Sequence, residues 1–379
     1  MAHLRSSMAP RPKAWSKCRL NRCAVVLCVG ALACAERSTP ERADGGASSE
    51  AGRAGASGGI SGSAATPSGG DGGTPGAGGA PGQAGAPGLD AGTLDAGGAP
   101  GLDAGAPDAS LGGAQGSFAA RWMHGAANCA DSTDPELQVH AYDAATYILR
   151  QDKCRTFEAP FMYLLLGTDS ALLIDTGATA SAALRDTIMP LVGTRALRVA
   201  HTHAHGDHVA SDARFAGQPS TTVIGTGVGA VAAAFGIEPW PTDTAELDLG
   251  GRVLDVLAIP GHEQSHIALY DRTTELLFTG DSLYPGLLFI NDWATYRASM
   301  RRLAEFVATH GVSHVLGAHI EMTATPGVNY PYGSVYQPDE HVLQLAPSHL
   351  LELDAALTAL GPTPPSAPVA HDDFVIDPQ

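Results

Sequence analysis

The last part of this 379-residue sequence, about 260 residues, predicts an α/β fold. Three observations carry that prediction. From Phe118 onward aromatic residues appear and apolar runs become periodic. Short apolar runs of strand length interleave with longer runs of helical period. The stretch is also long enough to enclose one large core.

The elements follow in order. Residues 139–142 and 146–149 read as a hairpin turning at Asp143-Ala144-Ala145. Residues 161–166 and 171–174 are two apolar strands joined at Gly167-Thr168-Asp169. Residues 181–192 have helical spacing, and 196–200 form a buried strand. A strand at 221–224 precedes a short helix at 229–235. Strands follow at 253–259, 267–270 and 276–278, the last ending at Gly280-Asp281. Residues 294–309 repeat with helical period and carry a basic flank, Arg297, Arg301 and Arg302. Residues 312–316 lead as a strand to His319, and 347–360 read as a closing helix.

The front of the chain is of a different kind. Residues 1–33 read as a signal peptide: six basic residues, no acid before Glu36, then an apolar run too short to span a membrane. Gly30-Ala31-Leu32-Ala33-Cys34 resembles a bacterial lipoprotein signal, which implies acylation of Cys34. The expected location is then an exported, membrane-anchored lipoprotein, periplasmic or on the cell surface. A secreted protein is the alternative. Residues 34–117 are rich in Gly, Ala and Pro and read as a disordered linker, because few large apolar groups offset the entropy of ordering. Residues 118–379 form the folded domain.

The net charge is −17 over the whole sequence. Cleavage after residue 33 removes six basic residues and no acid, leaving −23. Such a surface disfavours nucleic acid, and leaves a lipid on Cys34 as the one expected membrane contact. Cys18, Cys23 and Cys28 leave with the signal. That leaves Cys129 and Cys154, an isolated pair in an exported chain, which is expected to form a disulfide.

One stretch concentrates the chemistry: Thr202-His203-Ala204-His205-Gly206-Asp207-His208. Three histidines and a carboxylate fall within six positions. Imidazole nitrogens and carboxylate oxygens are the ligands that Zn²⁺ and similar divalent ions select. His203 and His205 alternate along extended backbone and can share one ion, while Asp207 and His208 turn toward a second point.

This stretch resembles the HxHxDH signature of the metallo-β-lactamase superfamily. Leu172-Leu173-Ile174-Asp175-Thr176-Gly177 is similar to the family's first motif, and Pro260-Gly261-His262 to its third. Phe278-Thr279-Gly280-Asp281 is similar to the fourth and Gly317-Ala318-His319 to the fifth. The resemblance covers residues 138–320. It implies an αββα sandwich, two mixed sheets between outer helices, with the site at the strand ends. It further implies two divalent metal ions, Zn²⁺ by default, though Fe or Mn also suit these ligands. His203, His205 and His262 would hold the first ion, Asp207, His208 and His319 the second, and Asp281 would bridge both. A metal-bound hydroxide would be the nucleophile, with Asp207 orienting it. Asp175 would brace the histidine loop by hydrogen bonding rather than ligate. His266 is read as loop support, His201 as packing and Glu321 as structural. His310, His314, His341 and His349 are read as helix-end or surface residues. Tyr284 is a candidate for the substrate wall, where it could donate to an oxyanion.

The resemblance also narrows the substrate. A full ligand set with Asp281 is closer to hydroxyacylglutathione thioesterases and lactonases than to β-lactamases. No lysine stands in 282–293, where the glutathione enzymes carry a basic residue. The expected activity is hydrolysis of an ester, lactone, thioester or related acyl bond in a small molecule. A tethered, non-catalytic binding module on the same fold and a β-lactamase-like amide hydrolase are the alternatives.

Overall fold

The computed structural model describes residues 116–379. The expected signal segment, Cys34 and all but the last two residues of the linker lie outside the described residues.

Two six-stranded sheets form the centre. The first runs β1 (Leu137–Ala141), β2 (Thr146–Gln151), β3 (Phe161–Leu166), β4 (Ser170–Ile174), β5 (Ala196–Ala200) and β6 (Thr221–Val223), each beside the next. The second contains β7 (Thr244–Asp248), β8 (Val253–Ala258), β9 (Ile267–Asp271) and β10 (Leu276–Gly280). Beyond β10 lie β12 (His314–Gly317) and β13 (Gln344–Leu345), so the spatial order is β13-β12-β10-β9-β8-β7. A small third sheet joins β11 (Leu287–Ile290) to β15 (Val375–Pro378) and β14 (Val369–Ala370). Hairpins pair antiparallel, whereas β4–β5, β5–β6 and β10–β12 are parallel.

Alternation of side chains across each strand builds the layers. Tyr163, Leu165, Leu172 and Ile174 face inward and meet Leu254, Val256, Leu269 and Phe278 of the second sheet. Their neighbours Met162, Leu164, Ala171 and Leu173 face outward, where Leu184, Ile188 and Val192 of helix α1 (Ala183–Val192) cover them. On the far side, Leu257, Ala268, Leu277 and Val315 pack against α5 (Trp293–Thr309) and α6 (Pro347–Leu360). Between α1 and α5 lie three shorter helices, α2 (Gly206–Val209), α3 (Asp212–Phe215) and α4 (Val228–Phe235). The architecture is the expected αββα sandwich. Apolar runs such as β3 are buried along their whole length because both faces are covered.

Polar ties join the layers. The Arg252 guanidinium is buried and donates to Asp271 at 2.6 Å and to Thr146 Oγ1 at 2.7 Å, linking the second sheet to the first. Arg150 makes a two-pronged pair with Glu340, both bonds 2.6 Å. Cys129 and Cys154 are disulfide-bonded, with Cα atoms 5.2 Å apart, so the segment before β1 is stapled to the connection after β2.

Candidate metal centre

Five strand ends converge at one edge. β4 and β5 run parallel, and so do β8, β10 and β12 through their pairings, so their carboxyl ends point the same way. Ligands gather at such ends in open α/β sheets. Asp175 follows β4, His203 to His208 follow β5, His262 follows β8, Asp281 follows β10 and His319 follows β12. Residues separated by more than a hundred positions thereby share one site.

They form two clusters. In the first, His203 Nε2 and His262 Nε2 lie 2.9 and 3.1 Å from His205 Nδ1. In the second, His208 Nε2 and His319 Nε2 each lie 3.3 Å from Asp207 Oδ2. Asp281 stands between them. Its Oδ2 is 3.8 Å from His203 and 3.7 Å from His262, while its Oδ1 is 3.4 Å from His208 and 3.3 Å from His319. Gly280, at φ 51°, permits this approach: a Cβ there would fall 2.6 Å from Thr202 Cβ and 2.7 Å from His266 Nε2.

The ring nitrogens turned away from the clusters are held. His208 Nδ1 meets Asp175 Oδ2 at 2.9 Å, His262 Nδ1 meets Phe289 O at 2.7 Å, and His319 Nδ1 meets Glu158 O at 3.1 Å. Such partners set ring orientation and raise ligand basicity. Asp175 itself is buried at φ 66°, a left-handed conformation that Asp tolerates better than most residues. Its Oδ1 accepts from Thr202 N at 2.7 Å, and its Oδ2 accepts from Thr202 Oγ1 at 2.9 Å. One carboxylate thus holds both ends of the histidine loop.

Charge divides the two clusters. Burial drives His203 well below its ordinary pKa and lowers His262 as well. Burial also opposes charge on His208 and His319, but there the carboxylates win and both are raised: Asp281 and Asp175 around His208, Asp281 and Asp207 around His319. Asp207 and Asp281 correspondingly lie well below the usual carboxylate range, held down against burial by His208 and His319. The second cluster therefore selects positive charge. Two of its buried atoms, His208 Nε2 and Asp281 Oδ1, have no hydrogen-bond partner. An imidazole nitrogen and a carboxylate oxygen left open together are the donor set a divalent cation takes. The residues fit the metals that the sequence implies.

The other candidates fall outside the clusters. His266 is buried and stacks on His203 with ring centroids 4.7 Å apart, its nitrogens at Thr279 O and Ser282 Oγ. His201 meets Asp212 Oδ1 at 2.8 Å. His310 stacks on Phe306, and His341 and His349 both meet Asp373. Tyr284 packs in the wall beside His319. It is only 2% exposed, its hydroxyl donates to Leu287 O and lies 3.2 Å from Glu321, and its ring packs against His319. Sequence reasoning missed Thr202 and Glu158. Thr202 stands directly before His203, and that adjacency was the available signal; Glu158 acts through its backbone, which no side-chain pattern reports.

A family model described as the metallo-beta-lactamase superfamily matches residues 155–309. That span holds every cluster residue except His319. A hydroxyacylglutathione hydrolase from Stenotrophomonas maltophilia (strain R551-3) is 32% identical over 171 residues, 42% of this chain and 61% of the relative. An acyl-coenzyme A thioesterase, MBLAC2, from Gallus gallus is 38% identical over 82 residues, 20% of this chain and 29% of the relative. The chain thus spans less than two thirds of the length of either. Among solved structures, a metallo-beta-lactamase from Pontibacter korlensis aligns with a TM-score of 0.42 at 18% identity, over 59% of this chain and 99% of that one.

Proposed function

With the family model and these relatives supporting a place in the metallo-β-lactamase superfamily, we propose that the chain is a metal-dependent hydrolase of thioester, ester or lactone bonds in small molecules. The observation that carries this reading is Asp281, one carboxylate with an oxygen facing each cluster. His203, His205 and His262 would hold one ion and Asp207, His208 and His319 the other, with Asp281 available to both. Two such ions, Zn²⁺ by default, would supply a water whose pKa falls toward about 7 and an electrophile for the substrate carbonyl.

The chain's own residues do the rest. Asp207, one-fifth exposed at its side chain, is the carboxylate placed to orient the attacking water. Asp175 fixes Thr202 and His208, and His266 supports the His203 ring from beneath. The two thioesterase-type relatives favour a thioester or ester bond over an amide. Metal analysis beside a panel of esters, lactones and thioesters tests the reading. Two bound metals with turnover of an acyl substrate are expected. Two bound metals with no turnover across the panel would favour a tethered binding module instead.

The same reading keeps Cys34 as an acylated anchor on an exported chain, with residues 34–117 as its tether. The Cys34→Ser variant is expected to leave the membrane fraction, and unchanged partitioning contradicts the anchor.

A further inference from the structure

Lys153 is the only lysine after Lys17, in a chain otherwise furnished with arginine. It lies in the connection between β2 and β3 and is 2% exposed. Its Nζ donates to Phe157 O at 3.1 Å, and among the described residues it forms no ion pair with a carboxylate. A buried cation is ordinarily paired, because desolvating it alone is costly. The nearby Arg150 does have a partner, Glu340, with both prongs satisfied. Burial first, and the Arg150 charge second, pull Lys153 down to about 8, against the opposing pull of Glu340, Glu321 and Glu158.

Lys153 also lines a pocket, shared with Phe157, Glu158, Glu321, Tyr332 and Gln337. Gln337 is 4% exposed and its Oε1 has no hydrogen-bond partner. Of the two groups in this cavity, only Lys153 has spare donors for an anion; Gln337 Oε1 is an acceptor and takes a donor instead. That cavity abuts the second cluster, since Glu158 O is the partner of His319 Nδ1. Tyr332, 74% exposed and edge-on to Phe157 at 5.2 Å, forms its rim.

We propose that this pocket is a subsite for a carboxylate on the substrate, with Lys153 as the specificity-determining cation. The inference rests on the hydrolase reading and names a substrate class for it: an acyl compound bearing a compact anionic group beside the cleaved bond. The ligand carboxylate would supply the counter-ion that the fold withholds from Lys153. The rim ring of Tyr332 would cover the intervening apolar atoms. Glu158 and Glu321 face the same space and act against indiscriminate capture of anions, so the charge must reach Lys153 itself.

The experiment compares two matched esters in the metal-loaded full chain, a monoester of succinate and the corresponding butyrate ester. The wild type is expected to favour the succinate ester at least about tenfold in kcat/KM, through KM, as one charge-assisted hydrogen bond implies. In Lys153→Met that preference should vanish while the butyrate rate stays within about twofold. A preference that survives in Lys153→Met, or a wild type with none, overturns the assignment. So does an equal loss on both esters, which marks a structural lysine. A second readout does not depend on turnover. With ¹³C-labelled lysine, the full chain gives signals only from Lys13, Lys17 and Lys153, and Lys153→Met assigns the last by difference. Free succinate should shift the Lys153 signal and raise its pKa. An unmoved signal means that the pocket holds only water and overturns the subsite. If neither ester is hydrolysed but the signal shifts, the hydrolase reading fails and the anion site stands.

Discussion

The two halves of the centre offer three side chains each, yet for different physical reasons. His203, His205 and His262 present imidazole nitrogens, and burial keeps His203 and His262 uncharged. Asp207, His208 and His319 present a mixture in which acid and base already ionise one another. The first half offers lone pairs, whereas the second answers negative charge with whatever cation is present. Asp281, with one oxygen on each side, couples the two kinds of site.

Removing that coupling should have the largest effect. The Asp281→Ala variant takes away the one group that faces both halves and the negative charge between two dications. It should lose at least one metal and nearly all hydrolysis, beyond the roughly 10–100-fold typical of outer partners. Metal analysis with turnover decides it, and two retained metals with normal turnover would sink the bridging role.

Asp175→Asn is a gentler cut. Asn accepts the left-handed backbone, but its amide has one acceptor oxygen where the carboxylate has two. It then cannot accept from Thr202 while also holding His208 Nδ1 as the carboxylate does. Metal affinity or activity should fall about 10–100-fold, with the loss centred on the half containing His208. Wild-type metal binding and turnover in this variant would overturn the bracing role. Metal loss as severe in His266→Ala as in His262→Ala would show that the first half is larger than three histidines.

An effect of a different kind, on the intact chain, is expected in pH. In the metal-free chain His208 and His319 are raised, so they keep their protons to higher pH than an ordinary histidine, about 6.5. A metal entering the second half must displace them. His203 and His262 are lowered and already neutral there. Affinity of the second half should therefore rise between about pH 6 and 8, by up to roughly tenfold per unit for each proton released, while that of the first rises less steeply. Metal titrations at several pH values measure both slopes, and equal slopes would break the distinction.

Much of this molecule was legible before any coordinates. Strands at 161–166 and the helix at 347–360 emerge at the bounds read from apolar runs and period, because elements buried on a covered face carry strong patterns. The disulfide needed only arithmetic, since two remaining cysteines allow one pairing. The cluster residues were legible as residue types at motif spacing. Other parts were not. The edge strand at 244–248 alternates polar and apolar over five residues, too short a run to stand out, and the two-residue strands carry no period. Spacing from Asp281 put Tyr284 near the site, but where its hydroxyl goes, to Leu287 and Glu321, only the fold decided.

Sequence by itself determined which residues can ligate, which strands are buried and which cysteines pair, because those follow from side-chain chemistry and local period. Only the tertiary structure decided that Asp281 faces two ways, that Asp175 holds both Thr202 and His208, and that Lys153 meets Gln337 in a pocket beside His319. Those are relations between loops up to 184 positions apart, from Lys153 to Gln337. No local pattern encodes them, since they depend on which strand ends the sheets bring to the same edge.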